Sequence, residues 1–147
     1  MDRWYTLDEL QEVASELLRE HVPPRVFALR GELGAGKTTL VASCCQQLGV
    51  LEPVDSPTYA IVNEYTGAVD VIYHLDCYRL SSVEEAIEAG IEELLLRDGN
   101  TVFVEWPAVI EPLLPPDVVF LRLDHDPAGA GRRRIRTTTG QPAANEQ

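Results

Sequence analysis

Residues 31–38 read Gly31-Glu32-Leu33-Gly34-Ala35-Gly36-Lys37-Thr38: a glycine, four residues, then Gly-Lys-Thr. This spacing is suited to holding phosphate. Glycines let the loop fold with its amides turned inward, and a helix that starts at Lys37 adds about half a positive charge at its N-terminus. Gly31, Gly34, Ala35, Gly36, Lys37, Thr38 and Thr39 therefore form the candidate phosphate cradle. Lys37 would place its ammonium on the β- and γ-phosphates of a nucleotide, and the Thr38 hydroxyl would supply one ligand to Mg²⁺. Lys37 is also the only lysine in the chain, all other basic residues being arginine. A compact point charge stands at the one place where such a loop requires it. The plain structural alternative, a glycine-rich turn ahead of a capped helix, explains neither that lysine nor the full match.

A phosphate loop needs a second acid for the metal and a group that aims the attacking water. Two apolar runs end on acids, Val71–Asp76 and Thr101–Glu105. Each acid could be an ordinary solvated strand end. With the phosphate loop present, both become site candidates at the carboxyl edge of a sheet, where such ligands belong. Because strand side chains alternate, Ile72, His74 and Asp76 share a face. Trp106 directly follows Glu105, which suggests a ring packed as a lid on the site rather than plain core. Arg132, Arg133, Arg134 and Arg136 form the only basic cluster, either solvated strand residues or a contact to phosphate or a partner.

Sequence pattern predicts the secondary structure around these residues. Thr6-Leu7-Asp8-Glu9 has the form of a capping box, and Leu10, Val13, Ala14, Leu17 and Leu18 recur at helical spacing, predicting a helix over 7–20 that Pro23-Pro24 stops. Val26–Leu29 is a buried strand entering the loop, and 37–48 is a helix ending at Gly49. Residues 59–65 and 69–76 predict an antiparallel hairpin about Thr66-Gly67-Ala68. Ser81-Ser82-Val83-Glu84 predicts a capped helix closing near Gly90, with a further helical turn or two over 91–96. Strands follow over 101–105 and 118–123, and after a Gly129–Gly131 turn a last strand over 132–137 runs antiparallel to its predecessor. Strands alternating with helices around a phosphate loop predict an α/β fold. Residues 1–140 read as one domain and 141–147 as a disordered tail.

Composition bounds the rest. The chain has 147 residues, 45% of them apolar and 24% charged, which suits a globular domain burying roughly 70% of its unfolded surface. No apolar run approaches the ~20 residues needed to span a bilayer, and Met1–Thr6 lacks a signal-peptide layout. Net charge is −12, and residues 1–131 carry 8 basic against 23 acidic side chains. An acidic body repels phosphate polyanions, so autonomous nucleic-acid binding is disfavoured. Cys44, Cys45 and Cys77 make no paired framework and read as small buried side chains in a reducing cytoplasm. His21, His74 and His125 show no metal-ligand spacing.

Four segments together resemble the bacterial TsaE (YjeE) ATPases: the loop Gly31–Thr39, Ser56-Pro-Thr-Tyr59, His74-Leu-Asp-Cys-Tyr-Arg79 and Val104-Glu-Trp-Pro107. Their order and spacing match over residues 5–137. The resemblance implies a P-loop fold with a mixed parallel and antiparallel sheet, and ATP hydrolysis with Mg²⁺. It implies partners, namely the threonylcarbamoyl transferase subunit and its inert paralogue, with tRNA engaged only indirectly. By position, Lys37 and Thr38 would hold phosphate and metal, Glu105 would be the second metal ligand, and Asp76 would orient the water. Ser56–Thr58 and His74, Asp76, Tyr78 and Arg79 would be switch segments, with Trp106 and Arg132 beside the nucleotide. Tyr59, Cys77 and the N-terminal helix depart mildly from the family pattern. Two other readings compete: a small-molecule kinase, against which stands the lack of an arginine-rich lid between residues 46 and 96, and a module that senses nucleotide without turnover.

Overall fold

A computed structural model describes residues 1–22, 26–32, 34–55, 61–129 and 131–140. The expected stop at Pro23-Pro24, the Ser56–Tyr59 segment and the 141–147 tail lie outside the described residues, as do Leu33, Arg25, Ala60 and Ala130.

Seven strands form one sheet: β1 (Asp2–Tyr5), β2 (Val26–Arg30), β3 (Val62–Thr66), β4 (Val71–Asp76), β5 (Thr101–Glu105), β6 (Val119–His125) and β7 (Arg133–Thr139). The helices are α1 (Leu10–Glu20), α2 (Lys37–Gln47), α3 (Val83–Glu88) and α4 (Ile91–Leu96), and 3-10 turns cover Leu7–Glu9 and Pro107–Leu113. Strand order is β1-β7-β6-β2-β5-β4-β3. The four central strands are parallel, whereas β3, β7 and β1 are antiparallel to their neighbours. This is the mixed sheet that the resemblance implied.

Alternation along β2 shows how the layers form. Phe27 and Leu29 face one side, packing with Phe103, Leu121 and Ile135 beneath α1 and α2. Val26 and Ala28 face the other, with Val102, Val104 and Phe120 beneath α3, α4 and the second 3-10 turn. Parallel strands buried on both faces need such continuous apolar runs.

Several local expectations shift. The helix read over 7–20 opens as a 3-10 turn, although Glu9 still reaches back to accept from the Thr6 amide at 3.0 Å. The cap of α3 moves by one residue: Ser82, not Ser81, accepts from the Glu85 amide, and Glu85 in turn accepts from the Ser81 amide. β1 carried no strand prediction, yet it pairs with β7 through Asp2↔Arg136 and Trp4↔Arg134.

Candidate nucleotide site

β2 enters the loop and α2 leaves it, so the expected strand–loop–helix context is present. Gly31 (φ +146°) closes against the end of β6, where a Cβ would sit 2.4 Å from the Leu123 carbonyl oxygen. Gly34 (φ +80°) and Gly36 (φ +96°) also take left-handed backbone, and Gly36 is the cap of α2.

Lys37 is only 5% exposed, which corrects the expectation of a surface-loop charge that its place in a glycine loop invites. Its ammonium donates to the Gly31 carbonyl at 2.6 Å and the Glu32 carbonyl at 3.1 Å, and lies 3.9 Å above the Trp106 ring. Burial lowers its pKa from the usual lysine range, while the nearby charges of Glu105 and Asp76 oppose that shift. Both strand-end acids therefore converge on the lysine. They are register partners on adjacent parallel strands, Asp76 opposite Glu105.

Glu105 is 3% exposed and anchors a buried polar chain. The Thr38 hydroxyl lies 3.0 Å from each of its carboxylate oxygens, and His74 Nε2 lies 2.6 Å from Oε2. Asp76 is half-buried, and its Oδ1 accepts from the Tyr78 amide at 3.0 Å. Trp106 is the one non-glycine residue with positive φ among those described (φ 56°), and its ring packs 5.0 Å from that of Tyr78. A hydroxyl and a carboxylate already in contact at a helix start are hard oxygen donors, the kind Mg²⁺ takes. The residues fit that ion.

The basic cluster divides between two faces. Arg132 Nε donates to Asp126 at 3.0 Å and its guanidinium stacks on Trp4, while Arg134 pairs with Asp2 and Arg136 with Asp124. Arg133 turns the other way, its Nε 3.8 Å from where a Gly36 Cβ would stand. Composition presents four equivalent arginines; strand alternation and the β1–β7 register separate the one beside the loop. The His74–Glu105 pair was likewise not foreseen, because alternation places His74 on a face but does not say which strand lies next to it. Tyr78 and Arg79 are exposed.

The chain matches the family described as "Threonylcarbamoyl adenosine biosynthesis protein TsaE" over residues 5–135. It belongs to the TsaE family. Among relatives, the tRNA threonylcarbamoyladenosine biosynthesis protein TsaE of Bacillus subtilis is 35% identical over 138 residues, covering 92% of this chain and 84% of that protein. The TsaE protein of the same description from Rickettsia conorii is 35% identical over 118 residues, covering 80% of this chain and 66% of the relative. The crystal structure of Bacillus subtilis YdiB superposes with a TM-score of 0.70 at 28% identity, over 95% of this chain and 84% of that one. As a TsaE protein, the chain keeps its loop, its His74–Arg79 segment and its Glu105-Trp106-Pro107 step inside the family match. Among the described residues no helix is long and apolar enough to cross a membrane.

Proposed function

We propose that this protein is a Mg²⁺-dependent ATPase acting in the formation of threonylcarbamoyladenosine in tRNA, with its nucleotide state governing how it binds partner proteins in the cytoplasm. The observation that carries this reading is the contact of Thr38 with Glu105 beside the Lys37 ammonium, in a chain of the TsaE family. Gly31, Gly34, Ala35, Gly36 and Thr39 complete the cradle around the phosphates, with Trp106 beside the nucleotide and Arg133, in place of the expected Arg132, on the loop side, because Arg132 is held by Asp126 and Trp4. Lys37 would leave its two loop carbonyls for the β- and γ-phosphates, a gain available only once a polyanion replaces those contacts. Thr38 and Glu105 would hold Mg²⁺, which when bound would neutralise negative charge on the phosphates. Asp76, fixed by the Tyr78 amide, would orient the attacking water.

Partners in this reading are the threonylcarbamoyl transferase subunit and its inert paralogue. Segments that touch the γ-phosphate order around it and relax after hydrolysis, giving a surface that differs between states. Ser56–Thr58 and Asp76–Arg79 are those segments here, His74, expected among them, being fully buried within β4. tRNA is reached through the partners, because a chain of net charge −12 does not attract it.

ATPase assays and pull-downs of the transferase subunits, with a non-hydrolysable ATP analogue, ADP or no nucleotide, test the reading. Weak turnover alone that rises with partners and tRNA is expected, together with recovery that depends on nucleotide. Glu105→Ala should raise the Mg²⁺ requirement, and Asp76→Ala should lose turnover while still binding ATP. Equal recovery in all three states, or tight tRNA binding by the lone protein, would count against it.

A further inference from the structure

The structure assigns His74 a positioning role: its imidazole Nε2–H holds the Glu105 carboxylate in the orientation in which Glu105 and Thr38 receive a divalent cation. This rests on the metal reading of the site given above and adds a residue to it.

His74 is fully buried in β4, and the only hydrogen bond from its side chain to a described residue is the 2.6 Å contact to Glu105. Its Nδ1 is buried without a partner among those residues. A histidine kept for packing satisfies both ring nitrogens or gives way to an apolar side chain, since an unpaired buried polar atom is costly. The surroundings would accept such a replacement: Phe103 is its register partner on β5, and the Tyr65 ring lies 6.4 Å away. What an apolar side chain could not do is donate to Glu105. A carboxylate only accepts, so the proton of this bond sits on Nε2.

Glu105 needs that donor. Among the described residues, the other hydrogen bonds to its carboxylate come from the Thr38 hydroxyl, the group that would turn to the cation with it. Once Thr38 has turned, His74 is the remaining side-chain partner holding the carboxylate in place. Outer partners of this kind fix ligand orientation, and their loss typically costs about 10–100-fold in metal affinity.

Two polar substitutions separate position from polarity. In His74→Gln the amide nitrogen falls where Nε2 stood; in His74→Asn it falls where Nδ1 stood and does not reach Glu105. The affinity of a fluorescent non-hydrolysable ATP analogue is measured for wild type and both variants, in EDTA and in Mn²⁺. Wild type should bind more tightly with Mn²⁺. His74→Asn should lose about 10-fold or more of that gain with its EDTA value unchanged, and His74→Gln should retain it to within about threefold. Thermal melts confirm that both variants fold, and His74→Leu serves as an apolar check expected to follow Asn. A wild-type response in His74→Asn overturns the assignment. So does equal impairment of Gln and Asn, or a loss that appears equally in EDTA. No Mn²⁺ gain in wild type would instead sink the metal reading itself.

Discussion

Lys37 shows at the level of one residue how a buried ammonium is accommodated. Its ammonium is withdrawn from water, so it donates hydrogen bonds to the two loop carbonyls at Gly31 and Glu32 and covers its third side with the Trp106 face. A cation over an aromatic ring gains about 0.5–2 kcal/mol depending on desolvation. Trp106 meets it with a left-handed backbone, a conformation costing a bulky side chain roughly 1–2 kcal/mol. Lys37→Ala should therefore do two separate things. It should weaken ATP binding by about 100-fold or more, through loss of the charge that faces the phosphates. It should also lower stability, by about 1–2 kcal/mol, because the loop carbonyls lose their donor. Nucleotide titration and a urea melt measure the two independently, and undiminished ATP binding would remove Lys37 from the site.

The strand–loop–helix unit depends on an approach between elements that no local pattern reveals. The end of β2 lies against the end of β6, and Gly31 leaves no room for a side chain between them. Gly31→Ala should push the two strand ends apart, costing about 2 kcal/mol or more and lowering Tm by several degrees. Gly99→Ala is the matched control. Gly99 also has positive φ (+87°), but nothing lies within 4 Å of the added Cβ, so only conformational strain of about 1 kcal/mol is expected. Equal melting temperatures for the two variants would show that the close approach to β6 does not matter. Local pattern marks some elements more strongly than others for related reasons. The β3–β4 hairpin and α2 have strong local periodicity and appear nearly where predicted. β1 is four residues whose hydrogen bonds come from β7 at the far end of the chain, and Pro107 and Pro112 favour a 3-10 path that apolar spacing does not register.

Across the whole molecule, buried ionisable groups set how stability responds to alkali. Cys44, Cys45 and Cys77 are fully packed in the core. Burial pushes the Cys44 thiol up, those of Cys45 and Cys77 up to about 12, and the Tyr5 hydroxyl to about 12. For a group whose folded pKa is raised, the unfolded chain releases its proton first. Stability is then complete below the ordinary thiol value near 9 and is lost as pH climbs toward 12. Lys37 acts in the opposite sense, its lowered pKa adding stability as pH rises through the window beneath the ordinary lysine value, but it is one group against four. Urea unfolding should show stability falling from pH 8 to pH 10 by about 1 kcal/mol for each buried thiol. Cys45→Ala should flatten that slope, whatever it costs at neutral pH, and an unchanged slope would mean the thiols are not responsible.

The loop, its flanking strand and helix, and the two acids at strand ends were all legible in the sequence. Each is specified by residues close together in the chain: glycines where the backbone must take positive φ, an apolar run before them, a helical period after them. The sequence also placed His74 and Asp76 on one strand face. It did not disclose that Asp76 lies opposite Glu105, that His74 meets Glu105, or that Arg133 rather than its arginine neighbours turns toward Gly36. Those facts follow from strand order and register, which are set by how the whole sheet buries its two apolar faces. A period of two says which side of a strand a residue occupies; only the packed sheet decides what stands beside it.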